Sequence, residues 1–352
     1  MNLSFSTRGW DSLSWNEITD AASENGFQGV ELYQVLNKTE FFEKGGPLSQ
    51  YKLSATVREL RDSRISVVCL DTSLDLTDDE IFDKLSRYIE LAGMMKIRYV
   101  SAVAFTDDEE KIVDALNGLT DAARRNDVVL LIKTTGIFAD TGKLRDLLDR
   151  MADDNLAVLW DMRHPYYDCK ESADTTIKNL GAYVKHVHLR DSAENGDYAI
   201  IGEGTLPINE MMQALRSIDY SGFISLEWKP GWVEGLNDHT LVFPHFINFM
   251  ENLDPSKKVR TDLYPNHDGT GYYIWKKDEL IHLTFSQVLD RLVKEFPNQY
   301  AFKYTTLEYT RTYSEFRDDV DDFARALVSL GVRAGSKVSV WATNIPEWFI
   351  AF

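Results

Sequence analysis

Much that would point to particular functions is scarce in these 352 residues. No run approaches 18 consecutive apolar residues, so no membrane-spanning helix is expected. The opening MNLSFSTRGWDSLSW has no basic stretch followed by an apolar core, which argues against a secretion signal. There are only two cysteines, Cys69 and Cys169, far apart and outside any C-x-x-C pattern. They read as reduced thiols of a cytoplasmic protein rather than a disulfide or a thiolate metal site. Lysines and arginines never cluster, and the net charge of −18 would repel a phosphate backbone. Nucleic acid is therefore excluded as a partner.

What is present is a recurring short apolar run. LSFST (3–7), GVELY (29–33), ISVVCLD (65–71), IRYVSAVAF (97–105), VVLLIK (128–133), LAVLWD (156–161), VKHVH (184–188) and GFISLE (222–227) read as eight strands. They start roughly 30 residues apart, the length of one strand, one helix and two short loops. Between them, TIKNLGAYV and INEMMQALRSI carry helical stripes, and the last such helix is expected over Phe243–Leu253. Eight βα units in about 250 residues specify a (β/α)8 TIM barrel, with a doubly wound eight-stranded sheet as the alternative. The expected domains are a barrel at 1–253, a Pro/Gly/Asn-rich linker at 254–283 and a partial α+β segment at 284–352. In the last, FSQVLDRLVKEF and FRDDVDDFARALVSLGV are amphipathic helices, the second closed by Gly331. SKVSVWA reads as a strand, and NIPEWFIAF as the opening of a further helix, so this unit is expected to be incomplete.

A barrel of this type does its chemistry at the carboxyl ends of its strands. Strand five ends in Lys133, strand six in Asp161 with His164 three residues on, strand seven in His188 followed by Arg190 and Asp191, and strand eight in Glu227; earlier strands add Arg8, Glu31 and Asp71. His186 is assigned to the opposite face, packing against the helices. A lone strand-end aspartate is more often a helix cap than a ligand. Four consecutive polar strand ends nevertheless favour a site, and Asp, His and Glu together suit Zn, Mn, Mg or Co.

These phrases resemble a known family. FSTRGW, GVEL, LWDMRHP, HVHLRDS, the GEGTLP loop (202–207) and SLEW, in that order, are similar to the xylose isomerase-like sugar phosphate isomerases and epimerases. The resemblance implies a divalent metal held at the positions of Lys133, Asp161, His188 and Glu227. It also implies proton transfer next to a carbonyl of a small polyhydroxy, sugar-type substrate, with Glu227 and Lys133 at the catalytic positions. Substrate contacts are expected from His164, Arg190, Glu31, Arg8 and Trp228. Lys133 departs from the pattern, which has glutamate there: an ammonium cannot ligate a metal. Three consequences stay open: a metal-free binding domain in which Lys133 replaces the cation, an isomerase using Glu227 as its one base, or a Schiff base on Lys133. The endonuclease branch of this family needs histidines on early strands, and none precedes His164.

Residues 284–352 resemble the start of adenylate-forming, acyl-CoA synthetase-like enzymes, through TFSQVLDRLVKEFPNQYAF, RTYSEF and FARALVSLGVRAGSKVSVWATNIPEWFIAF. The resemblance implies an AMP-binding ligase fused to the barrel. The phosphate loop and hinge lysine are not in this stretch, so ATP or AMP would be used only by a longer fusion. A homo-oligomer is one way to cover the apolar faces of these helices.

Overall fold

The computed structural model describes residues 1–253, 283–304, 309–343 and 345–352. The chain divides into two units, Met1–Asp254 and Pro255–Phe352. Almost all of the expected linker falls outside the described residues.

In the first unit, strands β1 (Asn2–Ser6), β2 (Gly29–Tyr33), β3 (Ser66–Asp75), β4 (Tyr99–Val103), β5 (Val129–Lys133), β6 (Leu156–Asp161) and β7 (Val184–Leu189) run parallel. A small hairpin of β8 (Asp191–Ser192) and β9 (Tyr198–Ala199) follows. Then β10 (Phe223–Leu226) closes the barrel in the order β1-β10-β7-β6-β5-β4-β3-β2. This is the (β/α)8 barrel, not the doubly wound sheet. Helices such as Ile81–Met95, Glu109–Arg125, Thr141–Met151 and Ile208–Ser217 cover it. The final helix, His239–Asn252, starts four residues before the expected Phe243 because Asp238 caps it through the Thr240 amide.

Two apolar layers account for the strand sequences. Outward residues of the strands meet the helices: Phe5 of β1 packs on Phe243 of the final helix with ring centroids 4.3 Å apart, and on Phe27 at 5.0 Å. That contact ties the first barrel strand to the last barrel helix. Inside the barrel, Cys69, Val129, Leu131, Ala157 and Leu159 form a separate small cluster. Since side chains of a strand alternate with period two, Lys133 shares the inward face of Leu131, and Asp161 that of Leu159. The inward faces of β5 and β6 thus change from apolar to charged as the strands near their carboxyl ends.

The second unit has helices Phe285–Glu295, Tyr313–Ser329 and Pro346–Ala351, and an antiparallel pair, β11 (Tyr300–Tyr304) with β12 (Tyr309–Thr312). Thr312 and Glu315 of RTYSEF form a capping box that starts the long helix, and Gly331 stands just beyond its end at φ +90°. The strand expected at SKVSVWA is corrected: residues 336–342 join no ladder among the described residues, and Trp341 is fully exposed. An alternating sequence becomes a strand only when a neighbouring strand takes its backbone groups.

Candidate functional site

Lys133 is 2% exposed, at the carboxyl end of β5. Its Nζ lies 3.4 Å from Glu227 Oε1, 3.6 Å from Asp161 Oδ2 and 3.9 Å from Asp71 Oδ2. All three carboxylates are fully buried. Burial alone would discharge the lysine, but Glu227, Asp71 and Asp161 outweigh it and raise its pKa above the ordinary value. The ammonium therefore stays charged, and a Schiff base, which needs a depressed pKa, does not fit.

Arg190, just after β7, supplies a second cation. Its Nη2 donates to Asp161 Oδ2 at 2.6 Å, and its Nη1 lies 3.1 Å from Glu227 Oε2. Arg8, just after β1, supplies a third, on Glu227 Oε1. Three cations thus face three carboxylates. Burial pushes the acids up, but Arg190 and Lys133 pull Glu227 well below the usual carboxylate range. Arg190 first among its neighbours brings Asp161 down to about 2. The cap reading of Asp161 is not realised: its Oδ1 accepts from the Arg163 amide at 3.1 Å in a local turn, but the N-cap of the Arg163–Cys169 helix is Met162, with no side-chain cap.

His188 and His186 both point inward, and each Nε2 lies 2.7 Å from Glu31 Oε2. The expected outward orientation of His186 is corrected: positions two apart on a strand share a face, so the HVH spacing puts both rings inside. A carboxylate only accepts, so both Nε2 atoms carry hydrogen and donate. Burial works against Glu31, yet His188 and His186 hold its pKa well below the usual range. Glu31 is fully buried, with Oε2 taken by this pair and Oε1 without a hydrogen-bond partner among the described residues.

Towards solvent, His164 is 21% exposed and Arg8 32% at their side chains. His164 Nε2 lies 2.7 Å from Arg190 Nη2, and its Nδ1 2.6 Å from Asp168 Oδ2. A guanidinium cannot accept, so Nε2 is the acceptor and Nδ1–H donates to Asp168. Tyr198 of β9 stacks on Trp232 with centroids 3.8 Å apart, and the Arg190 guanidinium lies 5.8 and 5.9 Å from the two rings. Trp228, expected to touch substrate, is instead 1% exposed, with its indole N–H donated to the Leu236 carbonyl at 3.1 Å. Trp232 takes the position beside Arg190.

The structure brings together Lys133, Asp161, His188, Glu227, Arg190, His164 and Arg8. Asp71, also read as a strand end, joins them, anchored by the Ser101 hydroxyl at 2.7 Å, and the structure adds Asp168. Asp168 was signalled only by its spacing of four from His164 on a helix.

A divalent metal does not fit this donor set. The Lys133 position holds an ammonium, Asp161 Oδ2 receives Arg190, and His188 Nε2 is given to Glu31. Ligand atoms of Asp71, His188 and Glu227 lie close together; among the described residues Asp71 Oδ2 and His188 Nδ1 are buried without hydrogen-bond partners, and Glu227 Oε2 is ion-paired with Arg190. This group is one candidate cation seat; Glu31, His186 and His188 form another, but there both ring Nε2 atoms are already given to Glu31. At the first, Lys133 Nζ already stands 3.9 Å from Asp71 Oδ2. Unit charges 4 Å apart repel by about 4 kcal/mol at an effective dielectric near 20, and a dication doubles this.

Comparison with known proteins gives two matches along the chain. Residues 19–242 match the sequence profile of the xylose isomerase-like TIM barrel, and residues 289–352 that of the AMP-binding enzymes. The 3-dehydroshikimate dehydratase of Bacillus anthracis is 23% identical over 251 residues, 61% of this chain and 86% of the relative. A crystal structure of the probable 3-DHS dehydratase AsbF from Bacillus anthracis superposes with TM-score 0.60 at 18% identity, over 72% of this chain and 100% of that one. The putative acyl-CoA synthetase YngI of Bacillus subtilis is 33% identical over 70 residues, 20% of this chain. The match spans only 13% of that synthetase's length.

Proposed function

Since the chain belongs to the xylose isomerase-like TIM barrel family, we propose that its barrel binds a small polyhydroxy carbonyl compound at the carboxyl-end mouth and moves a proton at the carbon next to the carbonyl. That step is common to isomerisation, epimerisation and the dehydration of β-hydroxy carbonyl compounds, so it accommodates both the sugar epimerase resemblance and the dehydratase relative. The observation that carries the reading is the His164–Asp168 pair beside Arg190. Asp168 fixes the tautomer with the lone pair on Nε2, which accepts from Arg190; a substrate oxygen that takes over that Arg190 N–H would free the lone pair and bring its neighbouring C–H to the nitrogen. In this reading Arg190 and Arg8 hold substrate oxygens, and Lys133 keeps Asp161 and Glu227 ordered. Glu227 is a poor base here, because three cations stabilise its ionised form.

That same ion pairing favours a second reading, a binding domain without turnover. Solvent deuterium exchange, followed by NMR on a panel of ketoses and cyclic hydroxyketo acids, separates the two. Exchange that disappears in His164→Gln supports proton transfer, whereas saturable binding with no exchange supports the binding domain. For residues 289–352 the proposed role is the N-terminal part of an ATP-using, carboxylate-activating ligase joined to the barrel.

A further inference from the structure

We propose that this barrel has exchanged the divalent metal of its family for a fixed set of side-chain cations, with Lys133 at the centre and Arg190 and Arg8 at its flanks. The inference is separate from the proton-transfer reading: it concerns only which positive charge holds the strand-end carboxylates together, and it is tested with no substrate.

Three features carry it. The first is stoichiometric. Asp71, Asp161 and Glu227 face Lys133, Arg190 and Arg8, so the buried charge is balanced within the cluster, and Glu31 stands apart from it with its Oε2 taken by His186 and His188. A dication added to a balanced, water-poor cluster would leave two positive charges in excess. The second is positional. Lys133 Nζ stands between carboxylates from three different strands, β3, β6 and the end of β10, at 3.4 to 3.9 Å from each. No one acid owns it, which is the disposition of a central ion rather than of a paired side chain. The third is the state of the ligand atoms. Arg190 gives Asp161 and Glu227 a planar fork that bridges both, and the arginine remains charged at every accessible pH. Asp71 belongs to this arrangement as the third acid, held by Ser101.

The experiment is metal analysis and thermal unfolding of the whole chain, purified from medium supplemented with Mn²⁺ and Zn²⁺, beside Lys133→Glu and Lys133→Gln. The unaltered protein is expected to carry far less than one equivalent of metal, and its Tm to stay put when EDTA, Mn²⁺ or Zn²⁺ is added. Lys133→Glu completes a carboxylate-rich set with Asp161, His188 and Glu227, and is expected to take up about one equivalent and to gain Tm with the metal. Lys133→Gln removes the charge without adding an acid. It serves where the glutamate variant fails to fold, and its Tm is expected to rise with Mn²⁺ or Zn²⁺ by more than that of the unaltered protein. One equivalent of tightly held metal in the unaltered protein overturns the proposal. So does a metal-free unaltered protein whose folded variants are equally indifferent to metal, because the lysine would then not be what excludes it.

Discussion

His186 reaches the same oxygen of Glu31 that His188 reaches, at 2.7 Å in each case. One carboxylate therefore satisfies two buried rings carried by neighbouring inward positions of β7, and it comes from β2, across the barrel interior. Removing the acid strands both donors, whereas removing one ring leaves the other in place. Glu31→Leu is expected to cost about 3–5 kcal/mol, the range for breaking a buried charged pair. His186→Leu is expected to cost less, about 1–3 kcal/mol. Urea unfolding of the two variants checks the order, and equal losses would mean that the shared oxygen is not what holds the rings.

The ion cluster makes stability depend on acid in a defined window. Asp161 has a folded pKa of about 2 against an ordinary 3.8, and Glu31 and Glu227 are depressed as well. A depressed carboxylate contributes stability that is fully present above its unfolded pKa and is lost as pH falls through the folded one. Tm is therefore expected to be level through the neutral range, to begin falling near pH 4 and to keep falling towards pH 2. Lys133, raised above its ordinary 10.5, contributes with the opposite sign, and its share is lost only in strong alkali. A Tm that is level between pH 4 and pH 2 would show that these acids contribute nothing net.

The sequence made the barrel and most of its charged mouth readable because VVLLIK and LAVLWD are apolar until their last residue, so a buried polar end is conspicuous at Lys133 and Asp161, with His188 and Glu227 at the matching ends of VKHVH and GFISLE. What was lost was lost to particular causes. His186 was misplaced although its spacing of two from His188 fixes its face. Asp71 was read as the end of its strand, but β3 runs on to Asp75, and its contact with Lys133 depends on the register of β3 against β4. Asp168 and Trp232 stand on a short helix and in an irregular segment, where no periodicity announces what a side chain faces. SKVSVWA alternates like a strand, but alternation cannot supply a pairing partner.

The GEGTLP loop owes its shape to Asp191. Its Oδ2 accepts from the amides of Gly202 at 2.9 Å and Gly204 at 3.0 Å, and its Oδ1 from Leu206 at 3.2 Å and Ser192 at 2.8 Å. A β-carbon on Gly204 would come within 2.1 Å of Asp191 Oδ1, and Gly202 sits at φ +88°. Asp191→Asn turns a donor towards amides that also donate, at a cost of about 1–3 kcal/mol. Gly204→Ala is expected to free the loop in the same way. Faster proteolysis between residues 193 and 206 in both variants, with the barrel left intact, is the measurement. Unchanged cleavage would assign the loop's order to its other contacts, such as Tyr167 Oη on Thr205 Oγ1 at 2.7 Å.

Arg190 joins the buried cluster to the solvent-facing pair, since one guanidinium touches Asp161, Glu227 and His164. Lysine preserves its charge but not its planar fork, and a single ammonium cannot span the three partners in the same geometry. Arg190→Lys is therefore expected to lose about 2–4 kcal/mol of stability, as a partly broken buried network does. It should also release His164 Nε2, which shows as a shift of that ring's NMR signals. His164→Gln, by contrast, sits nearer solvent and is expected to change stability by less than about 1 kcal/mol. If Arg190→Lys proves as mild as His164→Gln, then Arg190 is not the link between the inner ions and the mouth, and Lys133, with Arg8 on Glu227, would have to hold Asp161 and Glu227 in place.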